Sequence, residues 1–200
     1  MSSETSNVKQ VYADGTALGL FSLGLATFVG SASLFTNGAA DAPAIAWILC
    51  VAAFAQIWAA IMAFKSDNIF GGTVFGAYGL FWFGNGLMTI FASKGFPLGG
   101  LAGGNELFYI CIAYLIFSII ATIAALKTNK LLVLVVGLIA VLFLGLTLLT
   151  STSNADAGIA VAGKWIADIS RIVLAIVSFY AVAAFFLNAM FGKTILPVGE

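Results

Sequence analysis

Residues 131–150 read LLVLVVGLIAVLFLGLTLLT, twenty residues with no charge and nothing more polar than two threonines. About twenty consecutive apolar residues in an α-helix cross the hydrocarbon core of a bilayer. A membrane-spanning strand would alternate polar and apolar side chains over about ten residues, and this run does not alternate. Working outward from Leu131–Thr150, five further runs of the same kind appear: Thr16–Phe35, Pro43–Phe64, Phe70–Ala92, Leu107–Leu126 and Ile172–Phe191. The pattern predicts an all-α integral membrane protein with six transmembrane helices over residues 16–191. A polar segment, 1–15, precedes the helices, and a short tail, 192–200, follows them.

Composition agrees. The 200 residues are 62% hydrophobic and 8% charged, against about 25% charged in soluble domains, and the mean hydropathy is +1.12. Eight Lys and Arg balance eight Asp and Glu, which leaves no basic surface for nucleic acid. Histidine is absent, so a common general base and metal ligand is missing. No nucleophile–base pair, zinc spacing or phosphate-cradling loop stands out. The expectation is therefore no enzyme, no cofactor and no metal. Cys50 and Cys111 lie alone in apolar runs and read as packing volume. Met1–Val11 is too polar for a signal peptide, so the first span is expected to direct insertion.

All sixteen charges fall outside the six windows. With six spans the termini share one side. That side holds Lys9, Lys65, Lys127, Lys130 and Lys193, against Lys94, Lys164 and Arg171 on the other. The positive-inside rule then predicts cytoplasmic termini in a multi-pass cell-membrane protein. Trp47 and Trp165 suit interfacial anchors. The stretches Lys94–Asn105 and Ser151–Gly163 read as external loops, and the short breaks Lys65–Ile69 and Lys127–Lys130 make their flanking helices antiparallel neighbours.

Small residues mark packing faces. Gly15, Gly19, Ser22, Ala26 and Gly30 recur every three or four residues in the first span, and Gly72, Gly76, Gly79 and Gly86 do so in the third. In lipid, close backbone approach through such residues is a main source of helix association. Roughly opposite those glycines, Tyr78, Trp82, Asn85 and Thr89 form one stripe that must face protein or water. Gln56 is isolated among apolar residues and needs a partner. Leu23, Thr27 and Ser31 in the first span, and Ser178, Tyr180 and Asn188 in the sixth, are further candidates. These residues either line a pore or hold the bundle together by interhelical hydrogen bonds; spacing leaves both open. No ionisable relay lies in any predicted span, so a proton would travel on the substrate or through water. Hydroxyls, amides and helix-end N–H groups suit a small carboxylate.

Four pieces of sequence in order carry a family resemblance: Ala55–Gln56–Ile57, Asn68–Phe70–Gly71 with Phe75, Tyr78–Gly79–Leu80–Phe81–Trp82, and the tail Phe191–Gly192–Lys193–Thr194–Ile195–Leu196–Pro197–Val198–Gly199–Glu200. Over Leu18–Glu200 the chain resembles the acetate uptake transporter family, also called the succinate–acetate permease family. The resemblance implies a six-helix protomer that self-associates as a homohexamer in membrane lipid, with one pathway in each protomer. It implies passage of acetate or a similar small carboxylate, succinate in some members, by an anion channel or a proton-linked symport.

It also implies a hydrophobic constriction of Phe, Tyr and Leu from the first, third and fifth spans. Those positions carry Leu23, Tyr78 and Ile139 here. Gln56, Thr27, Trp82, Asn85, Ser178 and Asn188 are the expected pathway contacts, with Ser178 at a position where the family carries a small residue. Gly19, Gly72, Gly76 and Gly79 are the expected packing positions. One departure is large. The family's Asn-Pro-Ala-Pro-Leu-Gly-Leu reads Asp14–Gly15–Thr16–Ala17–Leu18–Gly19–Leu20. Asp remains a competent N-cap, but its charge disfavours an approaching anion. Rival expectations are a pathway for ammonia, carbon dioxide or another small neutral solute, and a membrane scaffold that transports nothing.

Overall fold

A computed structural model describes residues 12–31, 42–94, 105–151 and 157–199. The described residues form α1 (Thr16–Ser31), α2 (Ala42–Trp47), a π-helical stretch (Ile48–Ala53), α3 (Phe54–Lys65), α4 (Ile69–Ser93), α5 (Asn105–Ala125), α6 (Lys130–Thr150) and α7 (Ala157–Phe191). Five segments are long and apolar enough to cross a membrane: Ala44–Lys65, Ile69–Phe91, Glu106–Ala125, Lys130–Thr150 and Gly158–Phe191. A shorter apolar helix, Thr16–Ser31, precedes them. The last residues expected in the first span, 32–35, lie outside the described residues. So do most of the Gly-rich stretch after Lys94 and residues 152–156 of the second expected loop.

Two expectations change. The second span is not one uninterrupted α-helix, because the π stretch widens its turn over Ile48–Ala53. More consequentially, the last helix begins at Ala157 rather than Ile172, so much of the expected loop Ser151–Gly163 is helical. The charges expected to end the span do not end it. Lys164, Asp168 and Arg171 fall at i, i+4 and i+7, and Asp168 accepts from both cations within the helix. At 1.5 Å per residue, the 35 residues of α7 extend about 52 Å, beyond the roughly 30 Å of a bilayer core. Counting back from Phe191, that thickness is used up near Arg171.

The helices stand in a ring in the order α4, α3, α1, α7, α6, α5. Glycine sets several of the contacts. A Cβ on Gly145 of α6 would lie 2.5 Å from the backbone N of Ala167, and one on Gly163 of α7 would lie 2.5 Å from the N of Leu149. Along α4, a Cβ on Gly72 would strike the Phe64 ring at 2.5 Å, and one on Gly79 would approach the Ile57 side chain to 2.9 Å. Gly76 is looser, 3.5 Å from Ala60 Cβ.

The ring closes between α5 and α4 through side chains. Tyr114 Oη donates to Ala77 O at 3.0 Å, and its ring stacks on Phe143 of α6 with centroids 5.2 Å apart. Phe81 meets both rings edge-on.

Short connections place the ends. α3 stops in a Schellman turn: Asn68 N–H reaches Ala63 O at 2.9 Å, Asp67 N–H reaches Phe64 O at 3.2 Å, and Asp67 takes φ 60°. Asn68 then caps α4, its Oδ1 accepting from Gly71 N at 2.8 Å. Asn129 caps α6 through Leu132 N at 3.0 Å. The tail folds back over the same helix start. Lys130 N donates to Gly199 O at 2.8 Å and Leu131 N to Val198 O at 3.0 Å, while Leu196 and Val198 pack on the core.

The α6–α7 crossing yields a prediction. Gly145→Leu forces the backbones apart, and overpacking costs about 3 kcal/mol at its upper end. The expected outcome is a lower melting temperature in detergent and a loss of monodisperse protein. A variant that melts with the wild type contradicts the backbone contact.

Candidate functional site

Four helices turn one face each toward a common cavity of about 30 Å³. α1 contributes Thr16, Leu20 and Leu23, and α3 contributes Gln56. Asn68 and then Phe70, Gly71, Val74, Phe75 and Tyr78 come from the start of α4; Leu132, Val135, Val136 and Ile139 come from α6. Within each helix these fall three or four residues apart, which is a single helical face. All but Gln56 sit in the first halves of α1, α4 and α6. The cavity therefore lies toward the end of the bundle that carries the two short turns and the tail. At about 10–15 Å³ per water on this scale, it holds two or three water-sized groups.

The walls are apolar because the same residues form the bundle's core. Leu20, Leu23, Val135, Val136 and Ile139 are buried members of one hydrophobic cluster. Phe75 lies close against α1, where a Cβ on Gly19 would come within 2.6 Å of its ring. That close approach requires glycine. Gly71, also on the wall, has Asn68 Nδ2 2.9 Å from where its Cβ would be.

Gln56 is the exception in this dry setting. Its side chain is fully buried, and neither Nε2 nor Oε1 has a hydrogen-bond partner among the described residues. Buried polar groups are overwhelmingly paired, and an unpaired amide costs about 1–3 kcal/mol by mutational measures. Two other polar wall residues are engaged locally through Asn68 Oδ1 and the Tyr78 hydroxyl. Asn68 Oδ1 caps α4. Tyr78 Oη lies 2.8 Å from Ser118 Oγ, whose single proton goes to Tyr114 O at 2.6 Å. Tyr78 is therefore the donor to Ser118, and its hydroxyl proton is committed away from the cavity. Its ring stacks near-parallel to Phe143 at 6.2 Å and meets Phe117 edge-on at 5.5 Å. Tyr78 acts here as a fixed aromatic wall.

The structure thus gathers Leu23, Tyr78, Ile139 and Gln56 around one space and leaves the other expected pathway residues elsewhere. Thr27 is buried in α1 and bonds back to Leu23 O at 2.9 Å and Gly24 O at 3.1 Å. Trp82 packs with Ala26, Ile48, Ala52 and Ala53 in a second apolar cluster. Asn85 is half-buried one turn beyond it. Ser178 is buried in α7 with its Oγ unpartnered among the described residues, and Gly24 of α1 faces it, with 3.3 Å between a Cβ there and Ser178 Cβ.

Asn188 needs correction as a pathway residue. Its Nδ2 donates to Leu196 O at 2.8 Å, and its Oδ1 accepts from Ile195 N at 2.6 Å and Leu196 N at 3.0 Å. With Tyr180 Oη on Pro197 O at 2.8 Å, it fastens the tail. Sequence reasoning had both ends of this latch in view, but hydrogen bonds between helix and tail leave no periodicity to read. Thr16 and Val74 on the cavity wall were missed for a plainer reason: each is one ordinary residue on a helical face.

A family model described as the GPR1/FUN34/yaaH family matches residues 2–198. The chain belongs to that family. Among relatives in the family, the succinate-acetate/proton symporter SatP of Escherichia coli K12 is 30% identical over 192 residues, 94% of this chain and 96% of SatP. The same protein of Shigella flexneri matches equally. The solved structure of the bacterial acetate channel SatP superposes with a TM-score of 0.78 at 28% identity, covering 94% of this chain and 99% of that one. With the apolar helices, this makes the chain a multi-pass membrane protein.

Asn188→Ala separates latch from pathway. Three hydrogen bonds at about 0.5–1.5 kcal/mol each are lost. The tail is expected to become protease-sensitive and the melting temperature to fall, while the half-saturating substrate concentration stays put. A changed half-saturation with an intact tail contradicts the latch.

Proposed function

We propose that each protomer conducts acetate and similarly small carboxylates through its own bundle, by way of the cavity between α1, α3, α4 and α6, without converting them chemically. The single observation that carries this reading is Gln56, an unpaired amide donor deep in an apolar cavity of a chain whose family includes acetate channels and succinate-acetate symporters. Gln56 Nε2 donates to the carboxylate as it passes, compensating part of its lost hydration. Leu23, Ile139 and the ring of Tyr78 form the constriction, selecting by size and dryness.

None of the cavity residues is Asp, Glu, Lys, Arg or His. A cotransported proton accordingly travels on the substrate as its acid or along water, with no fixed relay in the wall. The termini face the cytoplasm, so the cavity is the inward half of the path. The exposed isoleucine face of α5, Ile116, Ile119, Ile120 and Ile123, meets acyl chains or a neighbouring protomer of a homohexamer.

Labelled-acetate flux into proteoliposomes tests this. A hydrogen bond to a charged group contributes about 1.5–3 kcal/mol, so Gln56→Leu is expected to cut acetate flux roughly 10- to 150-fold. Leu23→Trp is expected to block the constriction with assembly intact. Tyr78→Phe, which keeps the ring and gives up a hydroxyl already bound to Ser118, is expected to cost far less than either. Wild-type flux no greater than that of protein-free vesicles contradicts carboxylate transport, and full flux through a folded Gln56→Leu contradicts the role of the amide.

A further inference from the structure

At the end of the bundle opposite the cavity, three charged side chains of α7 form a cluster around a buried carboxylate. Lys164, Asp168 and Arg171 share one helical face. Asp168 is 5% exposed, and its two oxygens are divided between the cations: Oδ2 accepts from Lys164 Nζ, and Oδ1 accepts from Arg171 Nη1 at 3.1 Å. One cation would neutralise the carboxylate; this one has two, so the cluster carries one net positive charge.

Its position matters as much as its charge. The Arg171 side chain lies against α1, its Cδ 3.6 Å from where a Cβ on Gly30 would stand. Gly30 is seven residues beyond Leu23 on the cavity wall, about 10 Å along the helix. Thr27, between them, and Ser31, just past Gly30, continue Leu23's face at four-residue steps, both buried. Arg171, with 22% of its side chain exposed, and Lys164, with 59%, therefore reach the surface of the bundle where that buried face ends. The other described charges at this end, Lys94 and Glu106, are exposed and of opposite sign.

We propose that Arg171 and Lys164, held in place by Asp168, form a capture site for small carboxylates at the mouth of the pathway opposite the cavity. The inference rests on the carboxylate-transport reading above. Asp168 anchors the two cations within the protein, and the surplus charge raises the local concentration of anions before they enter the neutral interior. Such attraction acts over a Debye length of about 10 Å at 0.1 M salt, so it concerns entry and leaves passage through the constriction alone.

The test is acetate transport by intact cells of a strain without acetate uptake of its own, measured as uptake and as efflux, at low and high ionic strength. Lys164→Gln and Arg171→Gln each remove the surplus charge. The Lys164 variant does so at a mostly exposed side chain, so a misfolded Arg171 variant does not decide the matter. Both are expected to raise the half-saturating acetate concentration about two- to fivefold at low salt, in one transport direction. Maximal flux stays near wild type, the difference vanishes at about 0.5 M salt, and Arg171→Lys restores the wild-type value. Unchanged half-saturation in Lys164→Gln, or a change that persists at high salt, overturns the capture site and leaves carboxylate transport standing. Absence of acetate flux in the wild type overturns both.

Discussion

A buried primary amide with no bonding partner among the described residues is the constraint on which the rest depends. Gln56 is fully buried, and both of its polar atoms are unpaired among the described residues. A stable bundle would ordinarily fill that position with Leu or Met, because an unsatisfied buried polar group costs about 1–3 kcal/mol. The surrounding helices make the placement possible. Gly79 of α4 packs directly over the backbone N of Ile57 and the Cβ of Gln56, and Gly19 lets Phe75 approach α1 closely. The amide is thus fixed in a small apolar space whose walls offer it no competing partner.

Rigidity of that space comes from two sources remote from Gln56. The aromatic group Tyr78, Phe81, Tyr114 and Phe143 joins α4 to α5 and α6, and the Tyr78–Ser118–Tyr114 hydrogen-bond chain locks the Tyr78 ring in place. On the other side the tail is bound at both ends: Asn188 and Tyr180 hold residues 195–197, and the first backbone donors of α6 hold Val198 and Gly199. Leu132, Val135 and Val136 follow directly on that cap and line the cavity. The tail is therefore part of what sets the cavity wall, although it touches no part of the space itself. Thr16 belongs to the segment Asp14–Gly15–Thr16–Ala17, where the chain departs most from the family pattern, and it lines the cavity. Gly15 beside it approaches Ala59 so closely that a Cβ would lie 2.8 Å from its carbonyl oxygen.

The bundle was largely legible in the sequence because lipid imposes a coarse rule: about twenty apolar residues, then a break. The rule fails where charges neutralise one another within a helix. Lys164, Asp168 and Arg171 read as charges in the break before a span starting at Ile172, yet their spacing of four and three is that of paired residues on one helical face, and α7 runs through them. The candidate site was legible in part. Gln56 stood out by chemistry, an amide amid alanine and isoleucine, and Leu23, Tyr78 and Ile139 followed from the resemblance. Thr27 and Asn188 show what a sequence leaves out: it reveals that a polar group is present, not where its hydrogen bonds go. Thr27 spends its own on the preceding turn and Asn188 on the tail.

The central claim is that the Gln56 amide contacts the transported carboxylate. The chain has two glutamines, Gln10 and Gln56, so glutamine labelled with ¹⁵N at the side chain gives a nearly site-specific probe. Solid-state NMR dephasing between that nitrogen and [1-¹³C]acetate, in reconstituted protein, reads the distance directly. An N–H···O bond of about 2.9 Å places the carboxyl carbon within about 4 Å of Nε2. The account predicts dephasing at that distance, lost in Gln56→Leu. Dephasing that is absent from the wild type at saturating acetate, or that survives in Gln56→Leu, would contradict it.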